Sequence, residues 1–175
     1  MNCKRVYLVG FMCSGKSTLG RLLSERTRWS FVDLDEELER VEGMSIVEIF
    51  DKKGEDFFRR RELEMLKDLS RREGVIISTG GGLGANPTAM DFMKSMGLVV
   101  WLKVGFDTFL QRCGKDPSRP LLKRSREELL RLFEERSEVY QRAHITLEAS
   151  SKPEILMENL LANLKTLSYN GEEGG

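Results

Sequence analysis

The chain is short of the residues most small catalytic centres rely on. It has a single histidine, His144, in 175 residues. No Ser/His or Cys/His catalytic pair suggests itself, and His144 opens a strand-like run where packing is the expected role. The three cysteines, Cys3, Cys13 and Cys113, are odd in number and far apart. They match neither a zinc pattern nor a disulfide framework, which fits a reducing cytosol. Charge of one sign is not in excess, since 28 Lys and Arg balance 28 Asp and Glu. There is therefore no overall electrostatic case for nucleic acid or an anionic membrane as partner. No window holds the ~18 apolar residues of a membrane helix. A strand-like run begins at residue 4, so no signal peptide is expected and the location is read as cytoplasmic. The guanine-reading pattern Asn-Lys-x-Asp is absent, which weighs against a nucleotide-dependent switch.

What is present is well ordered. With 40% hydrophobic residues the chain can build a core, and its length suggests one domain. Strand-like runs fall at 4–9, 29–33, 74–78, 98–102 and 144–147. Helical stretches with apolar spacing of three and four fall at 16–27, 34–41, 45–50, 56–72, 87–96, 106–112, 125–142 and 153–167. Ser45 with Glu48 and Ser125 with Glu128 form capping boxes, and Asn86-Pro87 reads as a cap followed by a first-turn proline. Alternating strands and helices predict an α/β fold, a five-stranded parallel sheet flanked by helices on both faces. We expect one domain over residues 1–168 and a flexible polar tail over 169–175. Residues 114–124 break the alternation with two prolines, Pro117 and Pro120, and the basic residues Lys115, Arg119, Lys123 and Arg124. A connection this long reads either as a lid or as a solvated loop.

Residues 6–18 read Val-Tyr-Leu-Val-Gly-Phe-Met-Cys-Ser-Gly-Lys-Ser-Thr. An apolar strand runs into Gly10-x4-Gly15-Lys16-Ser17, the phosphate-binding loop that opens a helix. A polyphosphate needs several donors at once, and the loop amides with the helix N-terminus supply them. Cys13, Ser14, Gly15, Lys16, Ser17 and Thr18 are thus candidate contacts to a nucleoside triphosphate. Lys16 can reach the terminal phosphates, and Ser17 can ligate Mg²⁺. The second strand ends in Asp33-Leu34-Asp35. Ligands sit beyond the carboxyl ends of strands in open α/β sheets, so both carboxylates fall beside the loop. Asp33 can hold Mg²⁺ through water, and Asp35 can orient or deprotonate an attacking hydroxyl. Asp35 can equally be a helix cap. Gly80-Gly81-Gly82 after the third strand can form a nest of amides or a tight turn. Arg59-Arg60-Arg61 cannot all face one way, since neighbours on a helix differ by about 100°. One of them can turn inward and take a carboxylate bidentately, the others pairing with Glu62 or Glu64 at the surface. Glu134 to Tyr140, with Arg136 in the middle, carries the same ambiguity.

These elements, in order, resemble shikimate kinase: the phosphate loop, Asp33-Leu34-Asp35, Phe58-Arg59, Gly80-Gly81-Gly82, Arg119-Pro120-Leu121-Leu122, and Arg136 with Tyr140. The resemblance runs from residue 4 to about residue 164. It implies a P-loop kinase fold with a lid at about 114–124 and ATP-dependent phosphorylation of the 3-hydroxyl of shikimate, a step toward aromatic amino acids. It also implies Mg²⁺ as cofactor and small molecules as the partners; a monomer is expected. Carried over by position, Lys16, Asp35 and Arg119 would be catalytic, and Ser17 and Asp33 would hold the metal. Arg59 and Arg136 would grip the carboxylate, Asp35 and the three glycines the hydroxyls, and Arg112 and Arg119 the nucleotide, with the loop at 149–153 near adenine. One departure is Cys13, where members often have glycine; its thiol would lie close to phosphate, and binding is expected to survive. Another kinase of the same fold, acting on gluconate or a nucleoside monophosphate, is the competing reading.

Overall fold

The computed structural model describes residues 4–113 and 120–169. The chain opens with β1 (Arg5–Val9), then α1 (Lys16–Thr27), β2 (Ser30–Asp33), α2 (Leu34–Glu42), α3 (Ile46–Lys53) and α4 (Glu55–Leu69). It continues with β3 (Val75–Ser78), a single-turn helix α5 (Gly81–Gly84), α6 (Pro87–Met96), β4 (Leu98–Lys103) and α7 (Phe106–Cys113). A 3-10 turn at Pro120–Lys123, α8 (Arg126–Tyr140), β5 (Ile145–Glu148) and α9 (Pro153–Tyr169) follow. Both expected capping boxes form, at Ser45/Glu48 and Ser125/Glu128, and the Asn86 side chain accepts from the Ala89 amide with Pro87 in the first turn.

Some boundaries differ, for local reasons. α4 stops at Leu69 rather than residue 72, where the Ser70 hydroxyl donates to the Leu66 carbonyl at 2.6 Å. A serine that satisfies the backbone this way competes with the next helical turn. α3 runs on to Lys53 until Gly54, at φ 83, breaks it. α9 extends through Tyr169, one residue into the expected tail, whose remainder lies outside the described residues. Residues 114–119, with Arg119 and most of the expected lid, also lie outside them.

The five strands are all parallel, in the order β2-β3-β1-β4-β5. β3 is buried at every position, and in β1 Val6 through Val9 are fully buried. Strands buried on both faces need helices on both sides, and these supply them. α1 packs on β3 and α9, and α6 on β4 and α8. The register matters most for function. Asp33 pairs with Ser78, and Ser78 pairs with Leu8. The carboxyl ends of β2, β3 and β1 therefore form one row, and the segments that leave them start side by side. This row borders the point where the chain's path through the sheet reverses, the usual place for a ligand crevice.

Most of the core is one cluster around β1, β3 and β4. A second, smaller cluster joins Leu38, Ile49 and Phe58, with Met44, Ile46, Phe50, Phe57 and Met65 packed on it. It ties α2, α3 and α4 into a unit beside the sheet. Ile49 is fully buried there, so Ile49→Ala should cost about 2–5 kcal/mol. Denaturant unfolding checks this; a loss well under 1 kcal/mol would mean the α2–α4 unit does not share the cooperative transition.

Candidate active site

The row of strand ends opens on a cavity of ≈ 370 Å³ lined by the phosphate loop, Asp33, Asp35 and residues 78–81. Of the residues singled out from sequence, Cys13, Gly15, Lys16, Ser17, Thr18, Asp33, Asp35, Gly80 and Gly81 line it. Gly15 adopts φ 93 as the N-cap of α1, a conformation that strains any residue with a Cβ. Lys16 Nζ donates to the carbonyls of Gly10 and Phe11, at 2.9 and 3.0 Å. The ammonium is thus held over the loop where a phosphate would enter. Ser14, within the loop, is buried, and its hydroxyl has no hydrogen-bond partner among the described residues.

Ser17 Oγ donates to Asp33 Oδ2 at 2.5 Å, while Asp33 Oδ1 accepts from the amides of Asp35 and Glu36. So Asp33, not Asp35, is the cap of α2, and Asp35 is released from that alternative. Hydroxyl and carboxylate oxygens held together at the mouth of a phosphate loop suit Mg²⁺. Among the described residues no group of three or more His, Cys, Asp or Glu could hold a metal. A cation here would complete its shell with water and phosphate oxygens.

Asp35 Oδ1 is buried and has no hydrogen-bond partner among the described residues. Burial, reinforced by the nearby Asp33 charge, pushes its carboxyl up to about 6 against the pull of Lys16. Such a group is mostly ionised at neutral pH yet a far better proton acceptor than a solvated aspartate.

The glycine tract lets side chains close in on the backbone. A Cβ on Gly80 would sit 2.8 Å from Asp35 Oδ1 and 2.9 Å from Glu62 Oε1. One on Gly81 would meet Arg136 Nη1 at 3.0 Å, and one on Gly82 would meet Arg59 Nη1 at 2.5 Å. Asp35, Glu62, Arg59 and Arg136 thus surround one stretch of bare backbone. Tyr140 fixes that stretch from behind: it is buried, and its hydroxyl donates to the Gly81 carbonyl at 2.6 Å. Arg136 also stacks on Phe11, 5.4 Å from the ring centre.

Among the three consecutive arginines, Arg59 faces the site. It bonds Glu62 at 2.8 Å and Glu55 at 3.1 Å. Arg60 is solvated, with Glu64 at 4.0 Å, and Arg61 is engaged by Glu42 and Glu64. Glu62 was expected at the surface, but it is only 1% exposed. Burial pushes its carboxyl up to about 7, although Arg59 pulls it down. The signal lay in the spacing: Phe58, Glu62, Leu66 and Leu69 are the buried residues of α4 and form one stripe.

Arg112 does not line the cavity; its guanidinium donates to the Ala149 carbonyl at 2.8 Å. This joins the two elements expected near adenine. His144 was expected to pack, but it is exposed; its Nδ1 accepts from the Val99 amide at 3.0 Å, which ties the start of β5 to β4. The cysteines correct the sequence reading. Cys13 and Cys113 are disulfide-bonded, with Cα atoms 6.0 Å apart. Residues 100 apart in sequence meet because the loop after β1 folds back against the end of α7.

Comparison with known proteins agrees with this geometry. A family model described as shikimate kinase matches residues 12–165. A shikimate kinase from Aquifex aeolicus is 50% identical over 167 residues, spanning 95% of this chain and 99% of that protein. The crystal structure of a shikimate kinase from Aquifex aeolicus superposes with a TM-score of 0.87 at 51% identity, over 94% of this chain and 98% of that one. A shikimate kinase from Acinetobacter baumannii, solved in complex with shikimate, gives 0.84 at 35% identity, over 96% of this chain and 94% of that one. With the family model matching residues 12–165 and the relatives spanning nearly the full length, this chain belongs to the shikimate kinase family.

Proposed function

We propose that the chain transfers the γ-phosphoryl group of ATP to the 3-hydroxyl of shikimate, giving shikimate 3-phosphate and ADP. The observation that carries this reading is the buried, unpartnered Asp35 Oδ1 beside the phosphate loop. An acceptor oxygen without a partner in a crevice is suited to a substrate hydroxyl. Asp35 takes the hydroxyl proton as the substrate oxygen forms its bond to the γ-phosphorus. The bond from that phosphorus to the bridging oxygen breaks, and ADP leaves with Lys16 and the loop amides against its phosphates. Ser17 and Asp33 would hold Mg²⁺, which spreads the charge of the phosphate oxygens. Arg59 and Arg136 take the carboxylate, and the amides of Gly80, Gly81 and Gly82 meet the ring hydroxyls. Arg112, anchored on Ala149, lies along adenine.

Among the described residues no helix is long and apolar enough to cross a membrane. The only large hydrophobic residues described as exposed, Val41, Val47 and Ile155, are isolated in sequence. The second point supports a monomer acting on small molecules.

Arg59→Ala should weaken shikimate binding by roughly ten- to a hundredfold, because a hydrogen bond to a charged group contributes about 1.5–3 kcal/mol. ADP binding should change little. Arg60→Ala should alter neither, because Arg60 is solvated. Calorimetric titration of both variants reads this directly, and equal losses at Arg59 and Arg60 would contradict an inward-facing Arg59. The reaction itself is tested by following phosphorus NMR of ATP, shikimate and the protein with Mg²⁺ or with excess EDTA. A new phosphate-ester signal coupled to the C3 proton is expected only with Mg²⁺; coupling to another ring proton, or equal turnover in EDTA, would overturn the reading.

A further inference from the structure

The Cys13–Cys113 bond connects the phosphate loop to an element that supplies no other part of that loop. Cys113 is the last residue of α7 and is 1% exposed, whereas Cys13 lines the cavity. Cys13 also holds φ 58, and among the described residues only Arg28 shares positive φ without being glycine. Arg28 is a helix C-cap whose amide closes onto the Ser24 carbonyl at 2.8 Å, an ordinary use of that conformation. At Cys13 the left-handed backbone lies within a loop whose amides must converge on phosphate. A residue with a Cβ disfavours it by a factor of roughly five to thirty. The bond to a buried partner offsets that preference.

We propose that Cys13 and Cys113 form a redox modification site that holds the phosphate loop in its nucleotide-accepting shape, and that opening it with a dithiol weakens nucleotide binding. The inference rests on the reading of this cavity as the nucleotide site. In the opening step a thiolate of the dithiol attacks Cys13 Sγ, the half of the bridge that lines the cavity. The Cys13–Cys113 bond breaks, and Cys113 leaves as a thiolate and takes a proton from water. The second thiolate of the reagent attacks the mixed disulfide, releases Cys13 and closes the reagent's own disulfide. Two electrons pass from reagent to protein. A small-molecule disulfide such as oxidised glutathione reverses the step, giving the bridge and two reduced thiols.

The released loop would not collapse. Phe11 stays packed on Phe109 of α7 with ring centres 4.8 Å apart, so only the Cys13 segment is free to relax toward negative φ. The effect is therefore partial. Nucleotide in the cavity covers Cys13, so bound ADP should slow the reduction, and linkage requires it to shift the thiol–disulfide equilibrium toward the bridge.

The test is calorimetric titration of ADP with Mg²⁺ into protein equilibrated with oxidised glutathione or with dithiothreitol, with thiols counted after denaturation. The chain has three cysteines, so the count should rise from about one to about three on reduction, a gain of two thiols. ADP affinity should fall about tenfold, and the thermal midpoint by roughly 5–10 °C. Cys113→Ala should bind ADP like the reduced protein when both are titrated in dithiothreitol, which keeps Cys13 from forming a mixed disulfide with glutathione. Cys13→Gly combined with Cys113→Ala should recover the oxidised affinity, since glycine adopts positive φ without a bridge. Saturating ADP should slow thiol release several-fold. Equal ADP affinity in the two states while the thiol count changes would overturn the proposal, as would three thiols after oxidation. Absence of ADP binding in both states would instead overturn the nucleotide site, and the proposal with it.

Discussion

Asp35→Asn is expected to lower kcat by roughly 10²–10⁴-fold, the contribution of a well-positioned acid–base group. The amide matches the carboxylate in size and cannot take the substrate proton at neutral pH. Structure should be little affected, because the cap of α2 is Asp33 and Asp35 Oδ1 makes no hydrogen bond that the change would break. Removing a buried charge raised to about 6 by desolvation should if anything relieve the fold at neutral pH. The sign follows from linkage: a carboxyl whose folded value lies above its unfolded one loses stability as pH rises toward the folded value. The checks are steady-state kcat with Mg²⁺-ATP and the thermal midpoint of the same preparation. A folded variant with kcat within a few-fold of the parent would leave Asp35 without a catalytic role.

Lys16→Met should lower kcat by roughly 10²–10³-fold, the scale of removing one donor aimed at charge that develops in the transition state. Methionine keeps most of the length and removes the charge. Lys16 donates to the Gly10 and Phe11 carbonyls, at 2.9 and 3.0 Å. Its loss leaves those two carbonyl oxygens without the ammonium donor, so the thermal midpoint of the variant is measured beside its kcat. α1 is held by the buried Leu19 and Leu23, so the loop's frame should persist. Turnover within a few-fold of the parent would contradict a phosphate-facing Lys16. Comparing MgADP affinity with kcat separates ground-state binding from transition-state stabilisation.

The sheet and most helices could be read from the sequence because their signals are local. Apolar runs bounded by turn residues marked the strands, and Ser45/Glu48, Asn86-Pro87 and Ser125/Glu128 marked helix starts that the structure bears out. The phosphate loop was equally legible, since one contiguous stretch carries strand, turn and helix. What escaped notice depends on the third dimension. Glu62 looked like a surface partner for arginines, but tertiary packing turned the Phe58–Leu69 stripe inward and carried it into the site. The choice of Arg59 over Arg60 and Arg61 is a matter of helix phase against the sheet, which spacing alone leaves open. Cys13 and Cys113 lie 100 residues apart, and only the return of α7 to the loop brings them together. The α5 turn went unread because glycine carries no helix signal; its Gly84 amide closes onto the Gly80 carbonyl at 3.0 Å.

The central claim is that this cavity phosphorylates shikimate at the expense of ATP. ADP release, measured with Mg²⁺-ATP and a panel of shikimate, gluconate, nucleoside monophosphates and water, tests it most directly. Rapid ADP formation with shikimate, and little with the other acceptors or with water, is the expected result. Equal or faster turnover of gluconate or a nucleoside monophosphate, or ADP release that does not depend on an acceptor, would contradict it.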